Sequence, residues 1–91
     1  PAQLMLANLY EQSGDYRQAI DVYDRIEEGN VFYRRGQVRK ALNLEAMGKP
    51  NAALKLLSKI ATDYPHDESA LITKGDILRE QEKFMEAASA Y

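Results

Sequence analysis

The sequence predicts an all-α fold, an α-α superhelix (solenoid) of about three antiparallel helical hairpins with a 34-residue period. Two observations carry this prediction. Small and large residues recur in matched columns when the chain is written in rows of 34. Apolar residues within each row follow the spacing of an amphipathic helix, and no segment shows the period-two alternation of a half-buried strand.

Small residues mark the repeat most clearly. Two antiparallel helices can approach closely only where their side chains are small, so we expect the two main alanine columns to meet inside each hairpin. Large residues in the other columns would fill the space between neighbouring hairpins, which must stack to bury their apolar faces. The matched columns are Ala7, Ala41 and Gly75; Ala19, Ala53 and Ala87; Ala2, Gly36 and Ala70; Leu4, Val38 and Ile72; Tyr10, Leu44 and Leu78; Tyr16, Pro50 and Phe84.

Each row divides into two predicted helices. In the first row a helix over residues 2–13 ends at Gly14, whose backbone freedom suits a helix terminus. In the second row Gly48 ends a helix, and the next begins at Pro50, where a first-turn proline is tolerated. The third row predicts one helix over residues 68–81 and a second that begins near Lys83.

The repeats form a single domain over residues 1–91. Their approximate bounds are 1–33, 34–67 and 68–91, and the last repeat is truncated inside its predicted second helix. The chain opens at Pro1 without a methionine. We therefore expect it to be a piece of a longer protein that continues with further repeats, a capping helix or another domain.

Composition excludes several classes of function. The net charge is −2, whereas nucleic-acid binders usually carry a basic excess, so we expect no nucleic-acid partner. There is no cysteine, which excludes disulfides and thiolate metal sites. No apolar run approaches the ~20 residues of a membrane span, so direct membrane insertion is not expected. The chain reads as soluble, but its composition fits the cytoplasm and the periplasm equally well.

No motif in the sequence predicts catalysis, a cofactor or a metal. His66 is the single histidine and has no second histidine or cysteine to complete a metal site, so it is interpreted as a solvated turn residue. The glycines do not form a phosphate-binding loop. The basic cluster around Arg34 and Arg35, with Phe32 and Tyr33 beside it, is interpreted as a solvated helix face.

These columns resemble the tetratricopeptide repeat over essentially the whole chain. The matching residues are Leu6-Ala7, Tyr10, Gly14-Asp15-Tyr16, Ala19 and Tyr23 in the first row, Pro65 at the end of the second, and Gly75, Leu78, Phe84, Ala87 and Tyr91 in the third. The chain departs from the family pattern at Gln3 and Gln37, where a large residue is usual, and at Lys40 and Lys74, where leucine is usual.

The resemblance implies that the first helix of each hairpin lines a concave groove that holds a partner. The implied groove residues are Leu4, Asn8, Glu11, Arg35, Val38, Arg39, Leu42, Glu45, Ile72, Asp76 and Arg79. A structural alternative is that Leu4, Val38 and Ile72 pack against their neighbours or against a missing capping helix. Asn8 matches one position of the carboxylate clamp of some family members, but Leu4 stands where that clamp has a lysine, so the clamp is incomplete.

The predicted function is therefore a non-catalytic interaction module with a scaffold or adaptor role, in which the groove binds a peptide or helix of a partner protein. One alternative is a structural spacer that self-associates through its exposed repeat ends. A further alternative is an accessory domain of an enzyme or assembly factor whose active part lies elsewhere.

Overall fold

The computed structural model describes the backbone of residues 2–89 and the side chains of residues 2–85, and it contains five helices and no strand within that range. Consecutive helices pack against one another, and α3 also contacts α5. The predicted all-α class is confirmed. The helices are α1 (Ala2–Gln12), α2 (Tyr16–Asp24), α3 (Tyr33–Ala46), α4 (Pro50–Asp63) and α5 (Ser69–Ser89).

The two complete hairpins close with the same turn. Gly14 and Gly48 adopt φ angles of 80° and 81°, in the left-handed region that glycine enters without strain. The residue after each glycine donates a backbone hydrogen bond to the carbonyl five residues before it, which is the Schellman pattern at a helix end. The predicted role of these two glycines is confirmed, and it explains why they share a column.

Alanine pairs hold the helices of each hairpin together. Ala7 of α1 and Ala19 of α2 are 0% exposed and belong to one core cluster. Ala41 of α3 and Ala53 of α4 are equally buried in the second cluster. At these positions the interhelical space accommodates no more than a methyl group, as the columns predicted.

The junction between the hairpins depends on Gly36. A Cβ atom at this position would lie 3.2 Å from Ile26 Cδ1 and 3.3 Å from Tyr23 Cδ1, both on the preceding hairpin. The missing side chain lets α3 rest directly on the end of the first hairpin. On its other side α3 joins the cluster that Leu57 and Ile77 fill.

The predicted break in the third row is wrong, because α5 continues through residues 82 and 83 to Ser89. The column that holds Gly14 and Gly48 has Glu82 in this row. A left-handed conformation costs an L-residue about 1–2 kcal/mol, whereas glutamate is a good helix former. The chain therefore extends the helix where the first two rows turn, and α5 stands alone in place of the third hairpin.

The second helix of that hairpin was also predicted to carry Ala87 and Tyr91. The side chain of Ala87 and all of Tyr91 lie outside the described residues. The repeat bounds 1–33, 34–67 and 68–91 remain a prediction. On the described part of α5, Leu78 and Phe84 are 47% and 76% exposed, whereas the residues in their columns in the first two rows are half-buried.

Two glycine substitutions should change the free energy of unfolding in opposite directions. Gly48→Ala places a side chain at a φ of +81° and should lower the free energy of unfolding by about 1 kcal/mol. Gly75→Ala lies inside α5, where an added Cβ meets nothing within 4 Å, and should raise it by up to about 1 kcal/mol. Urea denaturation measures both changes. Equal destabilisation by the two variants would contradict the turn geometry.

Candidate functional site

A buried carboxylate joins the first hairpin to the second. Glu11, in the last turn of α1, accepts hydrogen bonds from the Tyr23 hydroxyl of α2 and from the Arg39 guanidinium of α3. The Asn43 side-chain amide, one turn after Arg39, donates to the same carboxylate at 2.9 Å. Only 8% of the Glu11 side chain is exposed. Because three helices supply these groups, the carboxylate fixes α3 against α1 and α2.

The protonation states of this cluster follow from its contacts. Burial raises the pKa of Glu11, but hydrogen bonds from Arg39, Tyr23 and Asn43 and the charge of Arg39 outweigh it, so the net pKa is lowered from 4.5. Burial and the hydrogen bond to Glu11 raise the pKa of Tyr23 to about 12. The hydrogen bond to Glu11 raises the pKa of Arg39 despite burial. At neutral pH the cluster contains one anion, one cation and a protonated tyrosine.

Two adjoining cavities form a depression between α1 and α3. The first has a volume of about 560 Å³ and the second about 300 Å³, and both are lined by Asn8 and Arg39. We call this depression the α1–α3 groove. The other residues that line it are Leu4, Met5, Tyr23, Phe32 and Arg35 in the first cavity and Glu11, Gln12, Tyr16, Leu42 and Asn43 in the second.

The structure brings six of the predicted groove residues together: Leu4, Asn8, Glu11, Arg35, Arg39 and Leu42 all line the α1–α3 groove. Leu4 also packs against the core of the first hairpin. This residue therefore both lines the groove and packs against its neighbours, the two alternatives that the sequence left open. Its side chain forms an apolar floor for the first cavity.

The remaining predicted residues do not line this groove. Val38 is half-buried and packs against the core of the second hairpin. Ile72 is 59% exposed and lines a different cavity at the start of α5. Asp76 and Arg79 form an exposed ion pair with each other on α5. Glu45 is half-buried and lines neither cavity of the groove.

The two arginines of the groove differ in their availability. The Arg39 guanidinium is held by Glu11 through both Nη2 and Nε. Arg35 lies one turn earlier on α3 and is exposed. Among the described side chains, no carboxylate forms an ion pair with Arg35. A ligand in the groove therefore meets the charge of Arg35, while that of Arg39 is already neutralised.

Sequence reasoning missed two residues that line the groove. Met5 is 71% exposed beside Leu4, and Phe32 precedes the first turn of α3. Met5 occupies the same repeat column as Arg39, a predicted groove residue, so this column could have identified Met5. Phe32 lies in a junction that departs from the repeat, and no column marks it.

In the part of the chain that the structure describes, no group of three or more histidine, aspartate or glutamate side chains could hold a metal ion. His66 is exposed at the turn before α5. Next to it in the sequence, Asp67 forms an ion pair with Arg34, with 2.6 Å between Arg34 Nε and Asp67 Oδ2. No helix among the described residues is long and apolar enough to cross a membrane.

Comparison with known families gives two matches along the chain. One family model described as a tetratricopeptide repeat matches residues 4–27, and a second with the same description matches residues 38–91. The second match alone spans more than half of the chain. Searches of curated proteins and of solved structures returned no significant match.

The Glu11 cluster predicts a pH-dependent stability. Glu11→Gln should lower the free energy of unfolding at neutral pH by about 2 kcal/mol, because hydrogen bonds to a charged group are lost. The pKa of Glu11 is depressed on folding, so its contribution is present above the ordinary value of 4.5 and is lost as the pH falls through the folded pKa. The difference between wild type and variant should therefore narrow in acid.

Urea denaturation across this pH range measures that difference. Glu45→Gln is the matched control, because Glu45 occupies the same repeat column and, among the described side chains, forms no ion pair. This control should change stability little at any pH. A Glu11→Gln curve that runs parallel to wild type down to strong acid would contradict the role of the carboxylate.

Proposed function

Because the chain belongs to the tetratricopeptide-repeat family, we propose that its α1–α3 groove binds a segment of a partner protein and that the chain acts as a scaffold or adaptor. Repeats of this family are generally non-catalytic modules that mediate contacts between proteins. We assign no catalytic reaction to the groove, and we expect its ligand to be a peptide or helix rather than a nucleic acid.

The observation that carries the proposal is the combination of an open apolar surface and a single available cation in one cavity. Met5 projects into the cavity with 71% of its surface exposed, and Leu4 and Phe32 extend the apolar lining. Arg35 stands at the same cavity without an ion pair among the described side chains.

This lining indicates the chemistry of the bound segment. An apolar side chain would cover Leu4 and Met5, and a carboxylate next to it would pair with Arg35. Asn8 offers an amide that can donate to a backbone carbonyl or accept from a backbone N–H. Arg39 keeps α3 in position through Glu11. Because Glu11 neutralises its charge, Arg39 contributes to the shape of the groove rather than to its net charge.

A structural role is the second candidate, and one observation favours it. Leu6 and Leu9 are 40% and 61% exposed on α1. Their columns hold Lys40 and Asn43 on α3: Lys40 pairs with Asp24 of α2, and Asn43 is 2% exposed. A helix packed on Leu6 and Leu9 would extend the array, so self-association or a spacer role would use this face and leave the groove open.

Peptide selection on the immobilised chain tests the groove. A displayed random-peptide library should yield sequences that combine apolar and acidic residues. Binding of a selected peptide, measured by fluorescence anisotropy, should weaken at least tenfold with Met5→Asp or Arg35→Glu, because each change removes a contact at the centre of the cavity.

Two variants serve as matched controls. Leu6→Asp makes a comparable change on a side of α1 that lines neither cavity of the groove, and Arg17→Glu makes the same charge change on the exposed surface of α2. Both should keep the affinity of wild type. Loss of binding with Leu6→Asp but not with Met5→Asp would overturn the groove proposal in favour of the face that extends the array.

A further inference from the structure

A cavity of about 550 Å³ lies between α3 and α4, outside the α1–α3 groove. It is lined by two half-buried leucines and by three lysines, two of which are exposed. We call this surface the back-face patch. Its residues are Lys40, Leu44, Ala52, Lys55, Leu56 and Lys59.

The back-face patch and the groove lie on opposite sides of α3. With about 3.6 residues per turn, Lys40 and Leu44 are each rotated by roughly half a turn from Leu42, which lines the groove. No residue lines both the groove cavities and the back-face patch. A ligand on one surface would therefore leave the other accessible.

The lysines of the back-face patch differ in whether they form an ion pair. Lys40 pairs with Asp24 of α2 at 2.9 Å, so its charge is largely neutralised. Lys55 and Lys59 are exposed, and among the described side chains neither forms an ion pair. They are four residues apart on α4 and so stand on one side of the helix, roughly 5–6 Å apart at Cβ. Two positive charges therefore flank an apolar cavity.

We propose that the back-face patch binds an acidic amphipathic segment of a partner protein. An apolar side chain of the segment packs over Leu44 and Leu56. Two carboxylates of the segment, one helical turn apart, pair with Lys55 and Lys59. Charge complementarity selects the acidic segment, and the leucines select an apolar residue beside its carboxylates.

A protein segment fits this surface better than an anionic membrane does. Membrane recruitment by charge usually needs a cluster of about 4–8 basic residues. The patch offers two unpaired lysines, and the chain as a whole carries a net charge of −2, which opposes approach to an anionic surface. The leucine-lined cavity of about 550 Å³ instead has room for apolar side chains of a protein segment.

The test is a titration of the full 91-residue chain, labelled with ¹⁵N, with a synthetic helical peptide. The peptide carries two glutamates one turn apart and a leucine beside them on the same side of the helix, and amide shifts are followed at low ionic strength. Shifts should concentrate at Leu44 and residues 52–59. Lys55→Glu/Lys59→Glu should weaken binding about tenfold or more, and added salt should weaken wild-type binding in the same direction.

Three controls separate this surface from the rest of the chain. A peptide with glutamine in place of glutamate should bind about tenfold more weakly than the acidic peptide. Arg17→Glu/Lys83→Glu changes the net charge equally at exposed positions outside the patch and should keep the wild-type affinity. Arg35→Glu, which is expected to impair the groove, should also leave this binding unchanged. Circular dichroism checks that each variant retains its helix content.

Several outcomes would overturn the inference. No amide shifts at millimolar peptide, shifts confined to the α1–α3 groove, or equal affinity of Lys55→Glu/Lys59→Glu and wild type would each do so. Binding to phosphatidylserine vesicles in the absence of peptide binding would also overturn it, because the surface would then bind anionic groups by charge alone, without an apolar contact. Failure of the groove ligand with intact back-face binding would reject only the proposed function.

Discussion

Close contact between paired helices is the constraint on which the rest of this structure depends. Ala7 and Ala19 in the first hairpin and Ala41 and Ala53 in the second leave no exposed surface, as expected where two helices approach closely. A larger side chain at any of these positions would separate the pair and displace everything that packs on it. Because both hairpins share this contact, equivalent positions in the first two rows have similar surroundings. A difference in residue type between two equivalent positions therefore reflects a difference in local packing or charge.

The Glu11 cluster adds a second constraint that the alanine contacts do not supply. Apolar packing between α2 and α3 resists separation, but it tolerates small rotations. A buried carboxylate with donors from Tyr23, Arg39 and Asn43 has a single satisfactory geometry, since any missing donor would leave a buried charge incompletely paired. The cluster therefore fixes the orientation of α3, and with it the direction in which Arg35 enters the groove.

The fold could be predicted because it rests on residue size and backbone freedom, which a single sequence displays directly. The alanine columns and the turns at Gly14 and Gly48 needed no knowledge of distant contacts. The continuous α5 was equally visible in principle, since Glu82 occupies the glycine column. It was missed because the repeat pattern was extended to the third row even though the residue that makes the turn is absent there.

The site was only partly predictable, because its chemistry depends on pairs between rows. The family resemblance placed Glu11 and Arg39 on the groove side, but a repeat column cannot tell which side chain is paired with a residue 28 positions away. The structure decides that Arg39 is paired and Arg35 is available. Met5 was not predicted, although its repeat column holds Arg39, which was a predicted groove residue.

Net charge is similarly incomplete as a guide to partners. The chain carries −2 overall, which disfavours nucleic acid, yet it presents unpaired cations on two opposite surfaces of the second hairpin. Carboxylates within the chain neutralise Arg39 and Lys40, the cations nearest the contacts between the hairpins. Arg35 on one side and Lys55 with Lys59 on the other form no ion pair among the described side chains, and each borders an apolar cavity. Since an exposed ion pair contributes little by itself, binding at either proposed surface would come from the apolar contact, with the cation selecting which apolar segments remain bound.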